Sequence, residues 1–363
     1  MTKTFEMYLD RYQHLYDLHR ARIKEPDNIV MRLHRLEKPE PWSGEVLDKI
    51  FKTFPEQKFQ QYPNFDLYYS QLSQFIGVPE DRFVITSGID ETIKSLMTLC
   101  CEPGDKVAVT WPGYAMYEVY AKIFGVELVR IICEPEHFML PDRLIENLST
   151  KTKVLFLPNP GQPVENCFDI DQLRQIAEFC EKNGILFVVD EAYYYFGSDT
   201  ALSLTNKYEN LLVLRTFSKA FGAASLRVGY ASGSERAIKP LMAFRMAGEA
   251  STLALHAMSI LIQNFDQIVI KSISDIIDGR NYLRDFAINE LNLPAWGNKA
   301  SYVLLGMENN KHMANVVTRL ERRGIYVKGH YPPPLDKYIL VTCGARQLVK
   351  EFAQHFKDVL KDN

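Results

Sequence analysis

The chain has 363 residues, of which 47% are hydrophobic and 24% charged, with a net charge of −3. That length exceeds what one core usually serves, so a large domain with a smaller companion is expected. The balanced charge leaves no basic surplus to attract nucleic acid, and the absence of any apolar run of spanning length argues against a membrane protein.

The segment from Met1 to Arg20 carries charge throughout and lacks the apolar stretch of a secretion signal. The six cysteines form no CxxC pair, which argues for a reduced, cytoplasmic setting. Residues 1–45, with prolines at 26, 39 and 41, are expected to form an arm that packs with the small domain. Residues 46–270 are expected to form the large domain and 271–363 the small one. Gly44 to Phe54 and Asp66 to Ile76 have helical spacing.

An alternation begins at residue 82. Strands are predicted over Arg82 to Thr86, Lys106 to Thr110, Val126 to Ile132, Val154 to Leu157, Ile185 to Val189 and Leu211 to Leu214. Helices fall between several of them, at Asp90 to Leu99, Tyr114 to Phe124 and Asp169 to Lys182. Short β-rich runs alternating with amphipathic helices argue for an α/β domain with a mostly parallel sheet. After residue 235 two long helical stretches are predicted, Arg236 to Phe265, bent near Gly248, and Asp266 to Leu291. Strands at Ser301 to Leu305, Ile325 to Lys328 and Tyr338 to Thr342 then mix with helices at His312 to Arg323 and Ala345 to Lys361, as in a smaller α+β domain.

In open parallel sheets, ligands sit outside the carboxyl ends of the strands. Thr86-Ser87-Gly88-Ile89-Asp90 is a glycine turn opening a helix, either an anion site or a plain helix cap. Trp111-Pro112-Gly113-Tyr114 offers an aromatic face or simple turn packing. Asn159-Pro160-Gly161-Gln162-Pro163 fixes an unusual backbone, with a cis bond expected before Pro163. Asp190 ends a buried strand, where an acid is costly unless it meets a cation such as a protonated ring nitrogen. The last strand leads into Arg215-Thr216-Phe217-Ser218-Lys219-Ala220-Phe221-Gly222, with Arg227 eight residues beyond the lysine. An amine there suits a desolvated nucleophile able to form a Schiff base, while Thr216, Ser218 and Arg227 suit a phosphate.

With D-E-A-Y at Asp190 to Tyr193, R-T-F-S-K-A-F-G at Arg215 to Gly222 and L-R-V-G at Leu226 to Gly229, the chain resembles the fold-type I pyridoxal-phosphate enzymes. Within them it is most similar to the class I/II aminotransferases of the histidinol-phosphate branch. The resemblance runs from about Arg32 to the final helix. It implies that Lys219 forms the Schiff base with pyridoxal 5′-phosphate and later shuttles a proton, that Asp190 keeps the pyridine nitrogen protonated, and that Tyr193 bonds the ring hydroxyl oxygen. It further implies that Tyr114 stacks on the ring, and that Gly88, Ile89 and Asp90 join Thr216, Ser218 and Arg227 around the phosphate. Tyr62 matches a tyrosine that reaches the phosphate of the neighbouring subunit, which implies a homodimer.

Three departures bear on substrate. Gln162 stands where the family places an asparagine beside the ring. Arg32 to Lys38 is charged where the family is rich in amides. Leu340 occupies the position of the arginine that clamps the substrate carboxylate, leaving Arg35, Lys328, His330 and Arg346 as substitute cations. The leading expectation is an aminotransferase acting between an amino acid donor such as glutamate and a small keto compound, phosphorylated or not. The alternatives are a decarboxylase of a phosphorylated amino acid and a catalytically silent domain of the same fold. No metal-ligand spacing links the eight histidines.

Overall fold

The computed structural model describes residues 6–7, 13–16, 18, 26–148 and 151–361. The N-terminal segment contributes strand β1 (Met31–Arg32). Seven strands then build the main sheet: β2 (Phe83–Thr86), β3 (Lys106–Trp111), β4 (Glu127–Ile132), β5 (Thr152–Pro158), β6 (Leu186–Asp190), β7 (Leu211–Thr216) and β8 (Gly229–Gly233). Their order is β2-β8-β7-β6-β5-β3-β4. All run parallel except β8, which pairs antiparallel with both β2 and β7.

The central strands are apolar without alternation because both faces are covered. Leu155, Leu157, Phe187, Val189, Leu211 and Val213 enter one core, while Val154, Phe156, Val188, Leu212 and Leu214 enter another on the opposite face. That split follows the two-residue period of a strand. Pairing shifts direction at β3: the chain places β4 on one side of it and β5 on the other. This is the topological switch point where doubly wound sheets open a crevice.

Strand β8 breaks the predicted alternation. Its sequence, Gly-Tyr-Ala-Ser-Gly, lacks a β-branched run, so pattern alone hides it. Its five residues are nonetheless all buried. Running antiparallel, β8 starts at the edge where the parallel strands end, and that start delivers the preceding Arg227 to the same edge as Lys219.

A second, smaller sheet has the order β12-β10-β9, from β9 (Ala295–Trp296), β10 (Tyr302–Gly306) and β12 (Tyr338–Thr342). Strand β11 (Ile325–Tyr326) pairs in parallel with β1. The predicted strand to Lys328 is therefore two residues long, and Lys328 instead returns as an isolated antiparallel bridge to Leu340. Met31 and Leu33 share a core with Val303, Leu305, Val317, Leu320 and Phe352.

The helical stretch predicted to bend near Gly248 is two helices, Glu235–Phe244 and Thr252–Gln263, separated by a break from Arg245 to Ser251. Ile270–Leu291 is a single 22-residue helix. Ile273 and Ile276 at its start pack into the large core, and Leu283, Phe286 and Ala287 further on pack into the small one. Gly279, between these halves, lets the backbone of Gly344 approach: a Cβ there would lie 2.1 Å from the Gly344 carbonyl oxygen. Among the described residues no single helix is long and apolar enough to cross a membrane.

Candidate active site

The carboxyl edge of the main sheet opens into a cavity of about 660 Å³. Its wall includes Ile89 and Asp90 after β2, Tyr114 after β3, Pro160 and Gln162 after β5, Asp190 and Tyr193 at the end of β6, and Thr216, Ser218 and Lys219 after β7. Arg227 enters ahead of β8. Parallel strands end on one side of a sheet, so residues separated by more than a hundred positions meet here for a topological reason.

Lys219 points its amine into this cavity and donates a 2.7 Å hydrogen bond to the Leu36 carbonyl of the N-terminal segment. Burial lowers its pKa from 10.5 to about 8, against the pull of the Glu37 and Asp190 carboxylates. Desolvation penalises the ammonium, so an appreciable minority of the amine, roughly a fifth, is neutral near physiological pH. A neutral amine is the form that attacks an aldehyde.

Asp190 is 4% exposed. Its Oδ2 accepts a 2.9 Å hydrogen bond from the Tyr117 hydroxyl, and its Oδ1 accepts one of 3.0 Å from the Ala192 amide. Burial nevertheless raises its pKa from 3.8 to about 6. Two donors offset part of the desolvation, and a cation would offset the rest. Tyr117 was missing from the sequence reading, although it lies three residues after Tyr114 and so on the same helical face.

Opposite, Thr216 Oγ1 and Ser218 Oγ are 2.9 Å apart, and Arg227 donates to Ser218 at 3.4 Å. Beside them the helix Ile89–Cys100 begins without any side-chain cap, leaving its first amides available to an anion. Gly88, at φ +74°, holds this corner open: a Cβ there would sit 2.8 Å from Arg227 Nη2. Tyr114 donates to Asp90 at 2.8 Å, and Asp90 lies 3.6 Å from Arg227. An amine, an acid and an anion cradle along one wall fit a phosphorylated pyridine aldehyde.

Gln162 is buried in the wall behind the cis bond expected before Pro163. Tyr193 is also buried, and the Lys219 ammonium lies 5.6 Å from its ring centre. The far end is lined by His34, Arg35, Leu36, Glu37 and Lys328. Of the four substitute cations, then, the structure brings Arg35 and Lys328 to the cavity.

The other two lie outside its lining. His330 is exposed with φ of 57°. Arg346 pairs with Asp278 at 2.9 Å and packs over the Tyr282 ring. Tyr62 is 97% exposed and is not part of this chain's own cavity wall. Leu340 is fully buried, packed in the large core.

Fold and site together define an enzyme built around an aldehyde cofactor. The model of the family "aminotransferase class I and II" matches residues 39–356, and the chain belongs to that family. Its cofactor is pyridoxal 5′-phosphate. The chain is 28% identical over 321 residues to the histidinol-phosphate aminotransferase of Thermococcus gammatolerans, covering 88% of each. It is 29% identical over 338 residues to that of Methanosarcina mazei, covering 92% of this chain and 89% of the other. The solved histidinol-phosphate aminotransferase of Sinorhizobium meliloti, in complex with pyridoxal-5′-phosphate, superposes with a TM-score of 0.84 at 19% identity, covering 92% of each chain. The protein is a pyridoxal-phosphate-dependent aminotransferase resembling these histidinol-phosphate enzymes.

Proposed function

We propose that the chain moves an amino group from an amino acid donor, glutamate in the first instance, to a small keto compound of the kind its histidinol-phosphate relatives use. The observation that carries this is the Lys219 amine, lowered to about 8, facing the same cavity as Asp190 and the Thr216–Ser218–Arg227 cradle. Bound there, pyridoxal phosphate supplies a ring that withdraws electrons from the substrate's α-carbon.

In this reading each residue has one task. Lys219 would hold the cofactor's aldehyde carbon, and its amine would carry a proton to and from the substrate's α-carbon. Asp190, positioned by Tyr117, keeps a ring nitrogen protonated. Tyr193 and Gln162 would hold the ring's hydroxyl oxygen, and Tyr114 would cover the ring. Thr216, Ser218, Arg227 and the amides after Gly88 hold the phosphate through charge-assisted bonds, with Ile89 and Asp90 opening the helix there. Arg35 and Lys328 supply positive charge at the substrate end.

A homodimer completes the picture. Tyr62 is exposed together with Phe51 and Phe59, an apolar group suited to a second copy whose cavity Tyr62 would enter. The unpaired cysteines fit a cytoplasmic setting. The names of the relatives favour amino transfer over the decarboxylase alternative.

The test is spectroscopic. The yellow holoenzyme is mixed with single amino acids, and the absorbance of the cofactor is followed as it passes to its amine form. Conversion with glutamate, lost entirely in Lys219→Ala, is expected. Carbon dioxide release without a keto acid would establish decarboxylation in its place.

A further inference from the structure

We propose that a second cavity, on the far side of the segment that covers Lys219, binds a small zwitterion of the free amino acid class. Lys38 and Ser272 take its carboxylate, and Asp275 takes its ammonium. The cavity measures about 410 Å³, a size suited to a small ligand. It lies between residues 38–49 and the start of the long helix, and no residue lines both it and the active-site cavity.

The first support is a hydroxyl without a partner. Ser272, on the wall of this cavity, is 7% exposed, and its Oγ has no hydrogen-bond partner among the described residues. A serine inside a helix commonly returns its hydroxyl to the carbonyl four residues back. Here that carbonyl belongs to Ile268, within the π turn Phe265–Val269. Such turns recur at functional sites, and Gln267 and Ile268 of this one line the cavity beside Ser272. A buried hydroxyl left unpaired is costly, and a ligand oxygen placed against it removes the cost.

The second support is the arrangement of charge. Lys38 stands on the N-terminal wall with its side chain 12% exposed. Its ammonium donates to the Glu40 carbonyl at 2.8 Å and lies 5.0 Å from the Trp42 ring centre. The Glu40 carboxylate, 3.9 Å from Lys38, is already engaged by the Ala345 amide at 2.6 Å. Lys49 is likewise paired with Glu45, at 3.7 Å. Burial lowers the Lys38 pKa, and the Glu40 and Asp275 carboxylates pull against that shift. Asp275 lines the helical wall, and among the described residues neither it nor Lys271, one turn earlier, forms an ion pair. A lysine preceding an acid by one turn is the weaker arrangement for a direct pair. An anion alone would be repelled by Asp275 and a cation alone by Lys38, whereas a molecule carrying both charges satisfies each wall.

The third support is what the wall segment touches on its other side. Two residues before Lys38, the Leu36 carbonyl accepts the Lys219 amine. The Trp42 indole donates at 3.2 Å to the Gly222 carbonyl, and the Gly222 amide donates at 2.9 Å to the Lys219 carbonyl. Gly222, at φ +57°, has no room for a side chain: a Cβ there would lie 2.7 Å from Lys38 Cδ. Residues 36–42 thus form one wall of the second cavity and two contacts around Lys219. A ligand that orders this segment on one side is coupled to the amine on the other. The site lets a free amino acid act on an aminotransferase without entering its active site.

The holoenzyme is titrated in a calorimeter with N,N-dimethylglycine, a zwitterion whose tertiary amine cannot condense with an aldehyde. Acetate and dimethylammonium, each carrying one charge, are titrated separately. The zwitterion is expected to bind, and each single charge about tenfold more weakly or worse. Asp275→Asn and Ser272→Ala should each weaken zwitterion binding by about ten- to a hundredfold. Without ligand, Ser272→Ala should melt no lower than the wild type, because it removes a hydroxyl that has no partner. If Lys219 holds the cofactor, as proposed, its amine gives up the bond to Leu36 in the holoenzyme. The segment is then less ordered, and the zwitterion should bind the cofactor-free protein more tightly, by about twofold or more. No binding of the zwitterion, equal binding of acetate, wild-type affinity in either variant, or a lower melting temperature for Ser272→Ala overturns the inference and leaves the aminotransferase reading intact. Equal affinity for the two forms of the protein overturns the link to Lys219.

Discussion

The two ends of the cavity are built differently. The cofactor end is made from the terminal residues of one buried sheet, and its polar atoms already have partners. Asp190 has Tyr117 and Ala192, Ser218 has Thr216 and Arg227, and Tyr114 has Asp90. The substrate end is made from an N-terminal segment, residues 34–37, and from Lys328 after the short strand β11. It is held by a few backbone bonds, such as Leu33 amide to Tyr326 carbonyl and Thr342 amide to Leu33 carbonyl, both 2.8 Å. Placing the cofactor group on rigid strands and the substrate group on separate segments lets one change while the other is preserved.

If that contrast is right, the largest effects come from the rigid end. Asp190→Asn removes the charge proposed to keep a ring nitrogen protonated, and turnover should fall by about a hundred- to a thousandfold. Without cofactor the same substitution should stabilise the protein. A carboxyl raised from 3.8 to about 6 costs the fold about 3 kcal/mol once it is ionised, a figure of order-of-magnitude value. The sign follows from linkage. The folded state holds this proton more tightly than the unfolded chain, so the wild type loses stability as pH rises from about 4 to 6 and stays penalised above. Urea unfolding of both cofactor-free proteins at pH 7.5 should favour the variant, with the gap closing below pH 5. An unchanged or lower stability at pH 7.5 would show that Asp190 carries no desolvation penalty.

Much of the rigid end was legible in the sequence. Each piece follows an apolar run by a few residues, so strand periodicity and the strand-end rule found Gly88, Tyr114, Gln162, Asp190 and Lys219 together. Tyr117 was not found because a tyrosine on an amphipathic helix reads as core, and only the fold shows it turned toward Asp190. Strand β8 escaped because small residues in a buried strand have no period. The substrate end was legible only as a departure at Leu340. By sequence four cations stood open as substitutes, and only the fold shows that Arg35 and Lys328 line the cavity, with Lys328 bridged to Leu340. No local pattern announces it, since the pairing joins residues twelve positions apart through a loop containing the Pro332-Pro333-Pro334 run.

The next effect concerns cofactor capture and is read against pH. If Lys219 is the residue that takes up the aldehyde, as proposed, only its neutral amine reacts, and burial sets that amine at about 8. Capture by the cofactor-free protein, followed by the rise of yellow absorbance, should speed up about tenfold per pH unit from pH 6 to 8 and level off above. A lysine in water would keep accelerating toward pH 10. A profile still climbing at pH 9.5 would mean that the cofactor end is wetter than the geometry implies, and its contrast with the substrate end would weaken.

The smallest effect tests where the contrast stops. Arg346 was one of four substitutes for a carboxylate clamp, yet it pairs with Asp278 on the surface, with both side chains about half exposed. An exposed pair of this kind is worth at most about 1 kcal/mol. Arg346→Ala should therefore leave the Michaelis constants for donor and acceptor within twofold of wild type, while lowering stability by no more than that amount. Steady-state kinetics with the donor identified by the absorbance screen is sufficient to check it. A tenfold rise in a Michaelis constant would place the substrate's anion near the last helix and not near Lys328, and the substrate end would then have to be redrawn around Arg346–Lys361.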